Sequence, residues 1–133
     1  MKRVLFVDDE PKVLDALRRL LYCMRRQWDM RFVAGGQEAL AAFQQGPFDV
    51  VVTDMRMPGM DGSQLLRQVR QLYPATVRIV LSGQCDMETV LRSLGPTHQF
   101  LTKPSDSEML KRTVARACDL RDRLADQKVQ EFV

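Results

Sequence analysis

Short apolar runs alternate with longer helix-periodic segments along the chain, and this alternation restricts the fold more than any other feature. The runs lie at residues 4–7, 31–33, 50–53, 77–81 and 100–102. Val50-Val51-Val52 and Ile79-Val80-Leu81 lack polar alternation, which is typical of strands buried on both faces. A strand–helix order repeated five times predicts an α/β fold with a doubly wound, parallel five-stranded sheet and helices on both faces.

The intervening segments carry helix signals. Glu10-Pro11 opens the first helix, because proline is tolerated at an early helical position. Its apolar stripe continues to Met24 and predicts one helix whose solvated side carries Arg18-Arg19 and Arg25-Arg26. Further helices are predicted at residues 37–45, 63–73, 87–94 and about 106–128, the last beginning with the capping-box spacing of Ser105 and Glu108.

Composition excludes several classes of protein. A length of 133 residues fits one domain, and a net charge of +3 from scattered basic residues does not favour direct nucleic-acid binding. No apolar run approaches the roughly 20 residues that span a bilayer, so we predict a cytoplasmic protein without a membrane segment. The three cysteines form no CxxC pair and there is one histidine, which argues against a disulfide framework or a zinc site.

Chemically active side chains follow four of the predicted strands. Asp8 and Asp9 follow the first strand, Asp54 the third, Ser82 the fourth and Lys103 the fifth. Ligands of a parallel α/β sheet gather outside the carboxyl ends of its strands, so these groups are expected to meet.

Three clustered carboxylates repel one another unless a cation is bound, and a few oxygen ligands suit Mg²⁺. A hydroxyl and an ammonium group at the same edge suit a phosphoryl group, with Asp54 as the nucleophile. Taken singly, each position has a structural explanation: aspartates at strand ends often cap helices or turns, and Ser82-Gly83 is an ordinary turn sequence. Their conjunction favours the chemical interpretation.

Four motifs, in this order, resemble the response-regulator receiver domain of two-component signalling. The resemblance covers about residues 3–120 and implies a flavodoxin-like (βα)5 fold. The motifs are Val7-Asp8-Asp9-Glu10-Pro11, Asp54-Met55-Arg56-Met57-Pro58-Gly59-Met60-Asp61-Gly62, Leu81-Ser82-Gly83 and Phe100-Leu101-Thr102-Lys103-Pro104. Residues 1–120 are accordingly interpreted as a receiver domain. Residues 121–133 are interpreted as an extension of the last helix, a linker toward an output domain or partner.

The resemblance implies that Asp54 accepts a phosphoryl group from a phosphohistidine of a sensor histidine kinase or phosphotransfer protein. It implies a Mg²⁺ ion bound by Asp9, Asp54 and the backbone carbonyl of Arg56, with Asp8 acting through a water. Such a domain is regulatory rather than an enzyme, and catalyses only its own phosphoryl transfer and dephosphorylation.

The resemblance also assigns a switch. Ser82 hydrogen-bonds the phosphoryl group, Lys103 pairs with its oxygens, and Phe100 turns inward as the hydroxyl moves. The Lys103–Pro104 peptide bond is expected to be cis. Phosphorylation then shifts the surface of the fourth helix (residues 87–94), fifth strand and fifth helix, which controls an output domain or effector and is where a homodimer contact is expected.

Some positions depart from the commoner pattern. Arg56 and Gln84 border the path of hydrolytic water and are expected to tune the lifetime of the acyl-phosphate. The sequence Gly95-Pro96-Thr97-His98 resembles receivers fused to HD-type output domains.

Three alternatives remain at this point. An aspartyl-phosphate phosphatase would need an aspartate where Arg56 stands. A nucleotide or flavin module would need a GxGxxG or GxxxxGK[ST] motif, and the chain has neither. A receiver-like interaction domain that no longer accepts phosphate is the third.

Overall fold

The structure, a computed structural model, describes residues 1–54, 57–82, 99–102 and 107–131, with the backbone alone for residues 82, 99–102, 107 and 123–131. The strands are β1 (Lys2–Val7), β2 (Trp28–Val33), β3 (Val50–Asp54), β4 (Val77–Ser82) and β5 (Gln99–Thr102). The helices are α1 (Pro11–Leu20), α2 (Gly36–Gln45), α3 (Gly62–Leu72) and α4 (Ser107–Glu131), with a 3₁₀ turn at Tyr22–Met24. The helix predicted at residues 87–94 lies outside the described residues.

The strands form one sheet in the order β2-β1-β3-β4-β5, and every neighbouring pair is parallel. The direction of strand addition reverses beside β1, so β1 and β3 flank the point at which ligands bind in doubly wound sheets. Val7 of β1 is level with Thr53 of β3, and Asp54 is level with Leu81 of β4. The residues that follow β1 therefore lie beside the end of β3.

Alternate residues of the strands feed two separate cores. Val4 and Phe6 face a cluster that includes Leu17 of α1 and Val114 of α4. Leu5 and Val7 face a cluster that holds the buried hydrophobic side chains of α2 and α3, which are Ala39, Phe43, Leu65, Leu66 and Val69. This period of two explains why the central strands read as uninterrupted apolar runs, since both of their faces are covered. The predictions of an α/β fold and a parallel sheet are confirmed.

The first helix is shorter than predicted. It ends at Leu20, and the prediction that it reaches Met24 is wrong. Leu21 leaves the helical conformation (φ −104°, ψ 8°), and the Met24 N–H then donates to the Leu21 carbonyl oxygen at 2.9 Å. This tighter turn keeps Leu21 buried and Met24 against the same core while the chain reverses toward β2. Apolar spacing alone did not distinguish the turn from a further turn of α-helix.

Two other elements are longer than the sequence indicated. β2 begins at Trp28 rather than at residue 31, because Trp28 is buried in the core and pairs with Lys2 of β1. The last helix is continuous from Ser107 to Glu131, while Ser105, the predicted capping residue, lies outside the described residues. Within the described part of the chain, no helix combines the length and the apolar character needed to cross a membrane.

Candidate functional site

Three carboxylates meet where the chain leaves β1 and β3. Asp8, Asp9 and Asp54 each offer one carboxylate oxygen, and these oxygens all lie within 4.8 Å of one another. Asp8 is buried, while Asp9 and Asp54 are half-buried. The parallel register of β1 and β3 produces this grouping, because it sets both strand ends at one level of the sheet.

Asp8 also organises the turn after β1. Its N–H donates to the Val33 carbonyl oxygen at 3.1 Å, and its Oδ1 accepts from the Glu10 N–H at 2.9 Å. The N-cap of α1 is Glu10, with Pro11 in the first helical position. The alternative that Asp8 or Asp9 caps the first helix is wrong, because Glu10 is the N-cap and Asp8 instead stabilises the turn that leads into the helix. Asp8 combines this structural role with membership of the carboxylate cluster.

The electrostatics of the cluster indicate a cation. Neighbouring carboxylates destabilise one another, and partial burial removes some of the water that would screen them. Carboxylate oxygens are ligands that Mg²⁺ prefers, and this ion needs only one or two of them from the protein. The donor set formed by Asp8, Asp9 and Asp54 therefore fits a hard divalent ion.

The connection from β3 to α3 is held at both ends. Met57 is buried against the core of α2 and α3. Gly59 has φ +80°, a left-handed conformation that favours glycine. Asp61 then caps α3 in a reciprocal capping box: the Gln64 N–H donates to its Oδ1 at 2.8 Å, and its own N–H donates to Gln64 Oε1 at 3.0 Å. From Met57 onward, the chain thus follows a defined path into the helix.

The other predicted site residues differ in what the structure describes. The backbone of Ser82 ends β4 at the same edge of the sheet as Asp54, and the backbone of Phe100 lies in β5 opposite Val80. Lys103, Arg56 and Gln84 lie outside the described residues, as does the Lys103–Pro104 peptide bond. The structure thus brings together the three aspartates. The roles of all the site residues stay predictions.

A cleft of ≈640 Å³ opens beside Asp9, between the start of α2 and α3. Gly35, Gly36 and Met60 are among the residues that form its walls. The sequence analysis assigned no role to these three residues. The Gly35-Gly36 pair was the one available signal, and it was interpreted only as the start of a helix.

Comparison with known proteins identifies the family. The pattern of the family described as "Response regulator receiver domain" matches residues 4–115. The hydrogenase transcriptional regulatory protein HoxA of Cupriavidus necator is 36% identical over 118 residues, which are 87% of this chain and 24% of that protein. The chain thus spans about a quarter of the length of this curated relative.

Solved structures agree with the sequence match. The signal receiver domain of an HD domain-containing protein from Pseudomonas fluorescens has a TM-score of 0.85 at 27% identity, covering 92% of this chain and 98% of that one. An adenylate cyclase from Rhodopirellula baltica has a TM-score of 0.88 at 30% identity, covering 97% of this chain and 96% of that one. With these matches and the carboxylate cluster at the ends of β1 and β3, the chain belongs to the response-regulator receiver domains of two-component signalling.

Proposed function

We propose that this receiver domain accepts a phosphoryl group on Asp54 from the phosphohistidine of a sensor histidine kinase or phosphotransfer protein. The observation that carries the proposal is the approach of the Asp8, Asp9 and Asp54 oxygens to within 4.8 Å of one another. Folding alone does not favour such a cluster, whereas phosphoryl transfer requires a cation beside an acceptor.

Asp54 is well placed to be the nucleophile. It ends β3, which is hydrogen-bonded between β1 and β4, so the sheet fixes its backbone on both sides. A carboxylate oxygen of Asp54 attacks phosphorus, the new O–P bond forms, and the bond from phosphorus to the donor's imidazole nitrogen breaks. The electron pair of that bond stays on the imidazole, which leaves as the neutral histidine once it holds a proton.

We propose that Mg²⁺ is held by Asp9, Asp54 and the backbone carbonyl of Arg56, with Asp8 contributing through a water. When bound, the ion neutralises charge on the phosphoryl oxygens. Lys103 would pair with the oxygens that remain, and the Ser82 hydroxyl would donate a hydrogen bond to one of them. Arg56 and Gln84 would set how readily water reaches the acyl-phosphate.

The consequence of phosphorylation is proposed to be a population shift. Ser82 ends β4 and Phe100 lies in the adjacent β5, so a hydroxyl drawn toward Asp54 would change the packing next to the last strand. The surface of residues 87–94, β5 and α4 would then control an output domain or effector, or form a homodimer. We propose that residues 1–120 are the receiver and that residues 121–133 link it to that output, within the cytoplasm.

Incubation with Mg²⁺ and acetyl phosphate tests the proposal. Intact-protein mass spectrometry should find one added phosphoryl group on the wild type and none on Asp54→Asn. Asp15→Asn is the matched control, because Asp15 is an exposed aspartate of α1 that pairs with Arg18 and is not a member of the cluster. Removal of Mg²⁺ with EDTA should abolish the added mass. An unmodified wild type, or equal modification of Asp54→Asn, would show that Asp54 is not the acceptor.

A further inference from the structure

Helix α2 and the loop before α3 touch at one point that leaves no room for a side chain. A Cβ atom built on Gly36 would lie 2.7 Å from the sulfur of Met60, 2.9 Å from its Cγ and 3.0 Å from its Cβ. The last distance involves an atom fixed to the backbone, so rotation of the Met60 side chain alone would not relieve the overlap. Gly36 is therefore required by packing against Met60.

Backbone conformation does not require this glycine. The φ angle of Gly36 lies outside the range that L side chains rarely adopt, so its backbone would accept alanine. Gly36 is the first residue of α2, and alanine there would reduce the entropy of the unfolded chain. Without the Met60 contact, Gly36→Ala would thus leave the free energy of unfolding unchanged or raise it. A lower free energy of unfolding would therefore indicate that the contact is present.

Met60 also contacts helix α3. The Gln68 side-chain amide of α3 lies 4.0 Å from the Met60 sulfur and donates toward it. Met60 packs partly buried against the core of α2 and α3, directly after Gly59 and directly before the N-cap Asp61. Its side chain thus fixes the loop of residues 57–60 relative to both helices.

This loop is continuous with the proposed site. Residue 56, whose carbonyl is a proposed Mg²⁺ ligand, directly precedes the buried Met57. Asp9 lines the same cleft as Gly36 and Met60, so the contact borders the carboxylate cluster. Movement of Met60 would therefore move the loop on the side of the cleft that faces Asp9.

We propose that Met60, seated on Gly36, is a positioning residue that holds the loop of residues 57–60 in the arrangement that binds Mg²⁺. The inference rests on the proposed function, since it concerns the same metal site. Met60 does not touch the ion or the phosphoryl group in this proposal. It acts through the backbone that it anchors.

The test is a double-mutant cycle of Gly36→Ala and Met60→Ala, with the Mg²⁺ dissociation constant measured by calorimetry and unfolding measured without metal. We expect Gly36→Ala to weaken Mg²⁺ binding about tenfold in the wild-type background, since small misplacements of a site are costly. In the Met60→Ala background the same substitution should have a much smaller effect, because the sulfur and Cγ are gone and the 3.0 Å contact with the Cβ of residue 60 is the one that remains. The effect of Gly36→Ala on Mg²⁺ affinity should thus depend on the residue at position 60. If each residue had only a structural role of its own, this dependence would not be found.

Gly35→Ala is the matched control. Gly35 is the neighbouring residue in extended conformation (φ −174°), and its added Cβ would meet only the carboxylate end of Glu38. This flexible end can move away, so Gly35→Ala should bind Mg²⁺ like the wild type. If Gly36→Ala did not fold, Met60→Leu and Met60→Ala would replace it, with Leu keeping the affinity and Ala losing it.

Unchanged affinity in Gly36→Ala, the same loss in both backgrounds, or equal affinities of Met60→Leu and Met60→Ala would overturn the inference. These results leave the proposed function intact if the wild type still binds Mg²⁺ and is phosphorylated on Asp54. A wild type that binds no Mg²⁺ would instead reject the proposed metal site and this inference together.

Discussion

The two ends of the sheet use aspartates in opposite ways. At the amino ends of the strands, Asp49 accepts from the Arg3 N–H at 2.8 Å and lies 3.7 Å from Nε of Arg121. At the carboxyl ends, Asp8, Asp9 and Asp54 crowd together within 4.8 Å. One end joins opposite charges, and the other collects charges of the same sign.

The pairs at the amino ends connect elements that are distant in sequence. Arg3 of β1 contacts Asp29 of β2 at 3.3 Å, and Lys2 contacts Asp122 of α4. Such pairs add modest stability and help to align β1 with β2 and with α4. At the carboxyl ends, the close approach of three carboxylates opposes folding, although the Asp8 side chain also accepts a hydrogen bond in the turn after β1. The contrast indicates that one end secures the fold and that the other is arranged for a ligand.

The largest effect is expected for Asp9→Asn. It should weaken Mg²⁺ binding about 100-fold, because a proposed ligand loses its charge. Without metal, the same variant should be at least as stable as the wild type, because repulsion within the cluster decreases. Calorimetric titration and urea unfolding without metal measure the two effects. A less stable metal-free Asp9→Asn protein would remove the contrast between the two ends.

Asp49→Asn, at the opposite end, should lower the free energy of unfolding by about 1 kcal/mol, because the amide oxygen still accepts the Arg3 N–H but lacks the charge that strengthens this bond and attracts Arg121. Urea unfolding measures this loss. Mg²⁺ binding to the folded variant should stay at the wild-type level. A variant that loses Mg²⁺ affinity instead would mean that the two ends are coupled.

Cys118 gives a pH-dependent test near the amino ends. Burial, assisted by the Asp49 charge, raises the pKa of its thiol from 9.0 to about 11. The folded state keeps this proton above pH 9 while the unfolded state releases it, so stability should fall by roughly 1 kcal/mol per pH unit from about pH 9 to about pH 11. Urea unfolding of the wild type and Cys118→Ala over that range isolates the contribution. Equal pH slopes in the two proteins would contradict it.

The smallest effect is expected for Asp122→Asn. Its carboxylate contacts Lys2, but the Asp122 side chain is exposed and the Lys2 side chain is partly exposed to solvent. Loss of such a surface pair should cost less than about 1 kcal/mol, and added salt should reduce even that difference. Thermal unfolding at low and high ionic strength checks both statements. A loss as large as that of Asp49→Asn would mean that exposure does not determine the strength of these pairs.

Much of the site could be predicted from local sequence. Asp8, Asp9 and Asp54 directly follow or end apolar runs, and parallel strands bring such ends together whatever the loops do. The contact between Gly36 and Met60 left no such signal. It joins the first residue of α2 to the loop before α3, and the closeness of their backbones follows only from how α2 and α3 pack.

Element boundaries were less predictable for similar reasons. The stripe that ends in Leu21 and Met24 has helical spacing, but the need to reach β2 converts its last turn into 3₁₀. The start of β2 contains Asp29, which obscures the strand pattern, and its pairing with β1 decides the outcome. In both places a tertiary constraint outweighs the local preference.

The length of α4 has a mechanical consequence. Its first half is anchored in the core through Leu110, Val114 and Ala117, and its backbone continues as helix to Glu131. At 1.5 Å per residue, the part beyond Leu120 extends about 16 Å, so a tilt of about 10° at the anchored half would displace the far tip by about 3 Å. The helix can thus act as a lever that enlarges small motions of the sheet-packed half.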